Sequence, residues 1–410
     1  MNFDIPEAAA AVKNWMLAHQ KEMTGFVRDF VRIDSHTYHE GAAVAWLAGK
    51  MHAFGFDEVR IDVAGNCLGR VGTGPKVILA DAHVDTVDPG DPAEWGFDPL
   101  EGRLENGHIW GRGVIDDKGC LSAMVFAARA IKELGYGSLV SFWVSGSISE
   151  EDVEGSCVRA MMEHNPDIKP GLILVGEASE MMIIRGHKGR ALIRMTVKGK
   201  AAHASAAWKG ENALIKALPL ISAIDTKNDF REDPFLGKGS IEVTKVICDS
   251  PSLNTIPGKV TVIADRRMSL GETKEQILTE LAPLLALSDA TAAIDTEEVK
   301  TYTGYDIVQE DYFPSWVLEK DHPSVQAAAK AYQAITGKPA IIGKWDFCTN
   351  ATYLCGVTGL PSVGFGPGDE SLCHSTEERL SIDELVVAAG VYAMIPLLAP
   401  ALANPQRFPG

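Results

Sequence analysis

The sequence has no C-x-x-C motif, and its seven cysteines (67, 120, 157, 248, 348, 355 and 373) are odd in number. That argues against a disulfide framework or a structural thiolate zinc site and fits a reducing compartment. Basic residues are few: 38 Lys and Arg stand against 55 Asp and Glu, a formal net charge of −17. Such a surface is a poor partner for nucleic acid or an anionic membrane. Internal repeats, low-complexity tracts and a charged tail are also missing. Residues Met1 to Glu7 carry neither a basic nor an apolar leader segment, so no signal peptide and a cytoplasmic location are expected. One uncharged stretch, residues 385–403, approaches the length of a membrane span. Gly390, Pro396 and Pro400 interrupt it, and Ser381-Ile382-Asp383-Glu384 has the form of a helix start. It therefore reads as a buried terminal helix ending near Pro396.

What the chain does contain is alternation. Helices are expected over residues 6–31, 40–54 and 121–134, and strands over 59–63, 67–71, 76–82, 139–144 and 172–175. The later strands are continuous apolar runs, the signature of strands buried on both faces of a mainly parallel α/β sheet. After about residue 188 the texture changes. Strands at 191–197, 241–246 and 259–266 and helices at 212–224 and 273–287 give a βαββαβ-like order, a smaller α+β domain with one sheet face solvated. Since α/β texture resumes near residue 305, this domain reads as inserted. The expected boundaries are 1–188 and 303–410 for the two parts of the main domain and 189–302 for the insert.

Five short segments carry the chemistry: His83-Val84-Asp85, Asp116-Asp117-Lys118-Gly119, Glu150-Glu151, Gly176-Glu177-Ala178-Ser179, and His374. The first four are each expected directly after a buried strand, and ligands of open α/β sheets bind beyond those strand ends. Imidazoles and carboxylates without paired thiolates are the ligand chemistry of a catalytic site for zinc or a similar divalent ion. A dinuclear metallohydrolase is the expectation. Adjacent Glu150 and Glu151 point apart on an extended backbone and so need different tasks. Asp85, two residues beyond His83, points the same way and is expected to accept the other ring N–H. Asp117 reads as a first-turn helix residue. His36, His39, His187 and His322 read as surface or packing residues.

Taken together, these motifs resemble peptidase family M20, the di-zinc aminoacylases, deacetylases, desuccinylases and carboxypeptidases, over nearly the whole chain. The segments Ala264-Asp265-Arg266-Arg267 to Gly271-Glu272-Thr273 and Lys344 to Asn350 further resemble the hydrolases linked to selenium metabolism. The resemblance implies a zinc-peptidase-like α/β domain with a ferredoxin-like lid and dimerisation domain. It implies two divalent metal ions, zinc first, with cobalt or manganese as alternatives. His83, Asp116 and Glu177 would hold one ion; Asp116, Glu151 and His374 would hold the other. The Asp116-Asp117 peptide would be cis, and Glu150 would be the general base.

By the same resemblance His203 reaches the active site of a second copy in a homodimer, while Asn254 and Arg267 bind the carboxylate of the substrate. Arginine suits that task through its bidentate fork, and Arg266 is the neighbouring competitor. Gly366, in Gly364-Phe365-Gly366-Pro367-Gly368, reads equally as an N–H donor to substrate or as part of a tight turn. Glutamate at 177 is the form associated with N-deacylases. After His374 the chain has Ser375-Thr376-Glu377-Glu378 where many relatives read x-P-N-E. The implied substrate is an N-acyl amino acid. A dipeptide, cleaved on the same machinery, and a non-catalytic metal-binding homologue are the competing readings.

Overall fold

The computed structural model describes residues 4–400; Met1, Asn2, Phe3 and residues 401–403, the end of the uncharged stretch, lie outside them. Nine strands form the larger sheet. Its order is Glu58–Ile61, Cys67–Val71, Val140–Ser147, Lys76–His83, Leu172–Gly176, Ser362–Phe365, Ile183–His187 and Trp316–Val317, with Ile342–Trp345 also beside Ile183–His187. The four strands from Val140–Ser147 to Ser362–Phe365 are parallel; antiparallel pairings extend the sheet at both sides, and Ile342–Trp345 runs parallel to Ile183–His187. Every residue of Val140–Ser147 is buried, as befits a strand covered on both faces. It runs three residues beyond the expected end, because Ser145, Gly146 and Ser147 are small enough for the helices to pack closely. A Cβ at Gly146 would meet Leu47 Cδ2 at 2.6 Å.

One face is covered by Ile5–Val31, Gly41–Ala53, Lys118–Glu133, Pro323–Thr336 and Ile382–Leu398, which share the largest apolar cluster with the strands. The helix Ser156–His164 contributes Val158 and Met161 to the core on the other face. The terminal helix is apolar all round because it packs against three other helices. It continues to Leu398, two residues past the expected stop, since Pro396 sits in the last turn. No helix among the described residues is long and apolar enough to cross a membrane.

The smaller sheet has the order Ser240–Asp249, Lys259–Met268, Gly189–Lys198 and Ala290–Ile294, all antiparallel. The first and third strands of a βαββαβ chain thus lie in the middle, the ferredoxin-like arrangement. Burial alternates along Gly189–Lys198, and the helices Ala213–Asp225 and Lys274–Ala286 join its apolar cluster. The hairpin Thr296–Lys300/Asp306–Glu310 spans residue 302, and Tyr312–Phe313 then rejoins the strand Gly189–Lys198.

Candidate metal centre

The strands Lys76–His83 and Leu172–Gly176 are parallel, with Asp81 opposite Val175, so His83 and Glu177 emerge side by side at their carboxyl ends. Asp116 does not follow a strand of the central sheet as expected. The preceding strand, His108–Trp110, belongs to a separate three-stranded sheet with Arg103–Glu105 and Arg379–Ser381. The turn Gly111-Arg112-Gly113 then swings the chain inward; at Gly113, φ is +77° and a Cβ would meet Thr86 at 2.3 Å. The Asp116-Asp117 peptide is cis.

Asp116 divides its carboxylate between two groups. Oδ1 lies 3.0 Å from His83 Nε2, which is 3.8 Å from Glu177 Oε1. Oδ2 lies 3.1 Å from His374 Nε2, which is itself 3.1 Å from Glu151 Oε2. Within each of the two groups, one atom per side chain lies within 4.8 Å of the others. His374 is held in place by a buried ion pair: Arg112 Nη1 donates to Glu378 Oε2 at 2.7 Å, and Arg112 Nη2 donates to the His374 carbonyl at 3.4 Å. Glu378 Oε1 also accepts the Ile115 N–H at 3.1 Å, tying the His374 loop to the Asp116 loop.

Glu150 lies beside this centre but belongs to neither group. It is buried, and its Oε1 has no hydrogen-bond partner. Glu150 and Glu151 do not sit on extended backbone. They open the short helix Glu150–Val153, after Ser149 at φ +55°. Their divergence therefore comes from helical rotation of about 100° per residue. Asp85 also differs from expectation. His83 Nδ1 is 2.8 Å from the Asp85 main-chain carbonyl and 3.5 Å from its carboxylate, so the carbonyl is the closer acceptor. The carboxylate instead accepts the N–H groups of Glu150 (3.1 Å) and Glu151 (3.2 Å). Asp117 lies outside both groups and accepts the His83 N–H at 3.3 Å.

The centre is short of positive charge. Burial pushes the carboxyls of Glu150 and Glu177 well above their ordinary range, and that of Glu151 up to about 7. Hydrogen bonds to Asp116 and Glu151 lift His374 to about 10. Burial acts on Asp116 too, but its contacts with His374 and His83 outweigh it and hold the carboxyl below its ordinary value. Carboxylates and imidazoles without a thiolate suit two divalent cations sharing Asp116, which would supply the missing charge.

The profile of peptidase family M20/M25/M40 matches residues 79–397. The chain belongs to peptidase family M20. YgeY of Escherichia coli K12, an uncharacterized protein, is 37% identical over 92% of this chain and 94% of its own. A succinyl-diaminopimelate desuccinylase of Methylocella silvestris is 25% identical, over 90% and 95% respectively. Among solved structures, the M20 metallo-carboxypeptidase of Sulfolobus solfataricus superposes with a TM-score of 0.72 at 15% identity, over 92% of this chain and 99% of that one. A Bacillus subtilis protein described as a dinuclear metal binding peptidase of the family gives 0.66 at 12%, over 93% and 98%. This M20 chain is accordingly a metallohydrolase acting on amide or peptide bonds.

A cavity of about 410 Å³ adjoins the metal centre of this M20 hydrolase. Its outer wall includes Glu154, Arg190, Arg267, Phe347, Cys348 and Glu370. Arg267 faces it, whereas Arg266 is buried against Glu272 at 2.7 Å. Asp265 grips Arg267 Nε at 2.7 Å and Arg190 Nε at 3.1 Å, and Glu154 takes Arg190 Nη1 at 2.7 Å. Arg190 and Glu154 were not anticipated. Arg190 enters because it stands directly opposite Arg267 in the sheet register, which a single strand's pattern does not reveal.

Gly366 does not offer its N–H to the cavity. That group donates to Ser179 Oγ at 2.9 Å, and a Cβ there would meet the Glu177 carbonyl at 2.3 Å, so it is a close-packing residue. Within one chain Asn254 and Arg267 are not brought together either. Asn254 Nδ2 is 3.4 Å from Nε2 of the exposed His203. Asn254 precedes the strand Lys259–Met268, along which Lys259 and Arg267 are roughly 27 Å apart at 3.4 Å per residue. Cys120 and Cys373 have thiols raised by burial, in keeping with filler rather than nucleophiles.

Proposed function

We propose that this M20 hydrolase releases the acyl group of an N-acyl amino acid, cleaving the amide next to a free carboxylate. The observation that carries the reading is Asp116, divided between two donor groups, with the buried Glu150 beside them and outside both. In this reading His83, Asp116 and Glu177 hold one ion and Asp116, Glu151 and His374 the other. Zinc suits the mixed donors best, and cobalt or manganese are accommodated by the same set. When bound, the ions supply Lewis acidity toward water and the scissile carbonyl.

The residues divide the remaining work. Glu150, free of both groups, takes a proton from the attacking water and returns it to the departing nitrogen. Asp85 holds the backbone of Glu150 and Glu151. Arg267 pairs with the substrate carboxylate, and Glu177 rather than Asp favours acyl removal. Incubating the metal-loaded protein with N-acetyl, N-succinyl and N-carbamoyl amino acids and with dipeptides tests this. Acyl amino acids are expected to turn over at least about tenfold faster in kcat/KM than dipeptides of the same side chain. A preference for dipeptides would replace the deacylase reading with a dipeptidase.

Residues 189–302 are assigned as a lid that also pairs two copies. The exposed edge strand Ser240–Asp249, with Val246 and Ile247 outward, and the exposed Trp208 and Leu253 support a second copy as the occupant. His203, which does not line its own cavity, then serves the other copy's site as a donor to the developing oxyanion. Mixing His203→Ala with Glu150→Ala chains checks this. Two nearly inactive variants are expected to recover about a quarter of the wild-type rate, since half the dimers are mixed and each has one whole site. No recovery on mixing, or a fully active His203→Ala, would remove the shared-site reading.

A further inference from the structure

Glu40 is a fully buried carboxylate that the proposed reaction does not use. It stands at the start of the helix Gly41–Ala53, yet its side chain turns away to the Ser149 turn. Its Oε1 accepts both the backbone N–H and the hydroxyl of Ser149, each at 3.0 Å. Ser149 is a non-glycine residue at φ +55°, a conformation that L residues rarely adopt. A left-handed residue followed by the first turn of a helix gathers successive N–H groups into a concave nest for anions. Here two buried carboxylates occupy that nest. Glu40 takes the N–H of Ser149, and Asp85 takes those of Glu150 and Glu151. Thr37 Oγ1 donates to Asp85 Oδ2 at 3.0 Å, so both grips are anchored to one loop, residues 37–40. At the far end of the turn Asn350 Oδ1 accepts the Gly155 N–H at 2.9 Å.

We propose that Glu40 is a positioning residue for Glu150: by holding Ser149 in its left-handed conformation it sets the direction in which Glu150 leaves the main chain. This rests on the reading of Glu150 as the proton carrier. Asp85 holds the two amides that follow and Asn66 Oδ1 accepts the Ile148 N–H before them at 3.2 Å, while the N–H of Ser149 itself is taken by Glu40. Glutamine at position 40 keeps the Oε1 acceptor and the reach; alanine keeps neither.

Glu40→Ala and Glu40→Gln are compared with wild type and Glu150→Ala on the best substrate of the panel. Hydrogen exchange is followed across residues 147–153 and the strand Leu172–Gly176. Alanine is expected to lower kcat by about 10–100-fold, with KM and bound metal nearly unchanged. Exchange should quicken in 147–153 and stay constant in the strand. Glutamine should restore kcat to within about threefold of wild type. The proposal is overturned if Glu40→Ala retains wild-type kcat, if glutamine is as poor as alanine, or if exchange rises throughout the sheet. An active Glu150→Ala would sink the base assignment instead, while slow exchange in 147–153 of Glu40→Ala would sink the grip on Ser149 independently.

Discussion

Glu150→Ala is expected to lower kcat by about 10²–10⁴-fold while two divalent ions remain bound per chain. The separation of the two effects follows from geometry. Glu150 contributes to neither donor group, so deleting its carboxylate leaves His83, Asp116, Glu151, Glu177 and His374 where they are. What is lost is a buried carboxylate beside the centre whose Oε1 has no hydrogen-bond partner and which is therefore open to carry a proton. Burial holds that carboxyl well above its ordinary value, and neighbouring positive charge acts in the opposite direction. Glu150→Asp, with a shorter reach, should fall between alanine and wild type. Steady-state kinetics with elemental metal analysis on the same preparation provides the check. A near-normal rate in the alanine variant would mean that another group moves the proton.

Asp116→Ala should have the broader effect: fewer than about one ion per chain and no measurable turnover at any metal concentration that supports the wild type. The carboxylate supplies one oxygen to each group, at 3.0 Å from His83 and 3.1 Å from His374, so one deletion opens both. Stability gives a second readout. An ion present at a thousand times its dissociation constant stabilises the folded chain by about 4 kcal/mol. Thermal unfolding of the wild type should therefore rise on adding zinc, while Asp116→Ala should show little or no shift. An Asp116→Ala protein that still bound two ions tightly would break the shared-ligand reading. Comparing it with His374→Ala, which opens only the second group, would show whether one ion can stay alone.

The candidate donor residues were legible because a buried parallel strand announces itself by a run of apolar residues, and a charged residue at its end has few structural reasons to be there. His83 and Glu177 follow that logic directly. Asp116 was recognisable by its motif but not by its placement, since it comes in on a glycine turn from a separate small sheet. What the sequence did not show is how polar groups are paired across long separations. The Asp85 carboxylate finds the amides of residues 150 and 151, and the Gly366 amide finds the Ser179 hydroxyl. Arg190 joins the cavity wall only through the register of two strands, and Asn254 is kept from Arg267 by the length of one. Periodicity reports which side of an element is buried; it carries no information on which distant partner meets it there.

The buried pair Arg112–Glu378 has a consequence for how the centre comes into being on the ribosome. The donors of one group, His83, Asp116 and Glu177, are all in the first 177 residues of the chain. His374 and Glu378 are added roughly 200 residues later, which at ordinary synthesis rates of about 5–20 residues per second is a delay of about 10–40 s. Throughout that interval Arg112 lacks its carboxylate partner and Asp116 can serve only one group. The insert is completed in the meantime, so the nascent chain finishes the smaller sheet before it makes the second half of the centre.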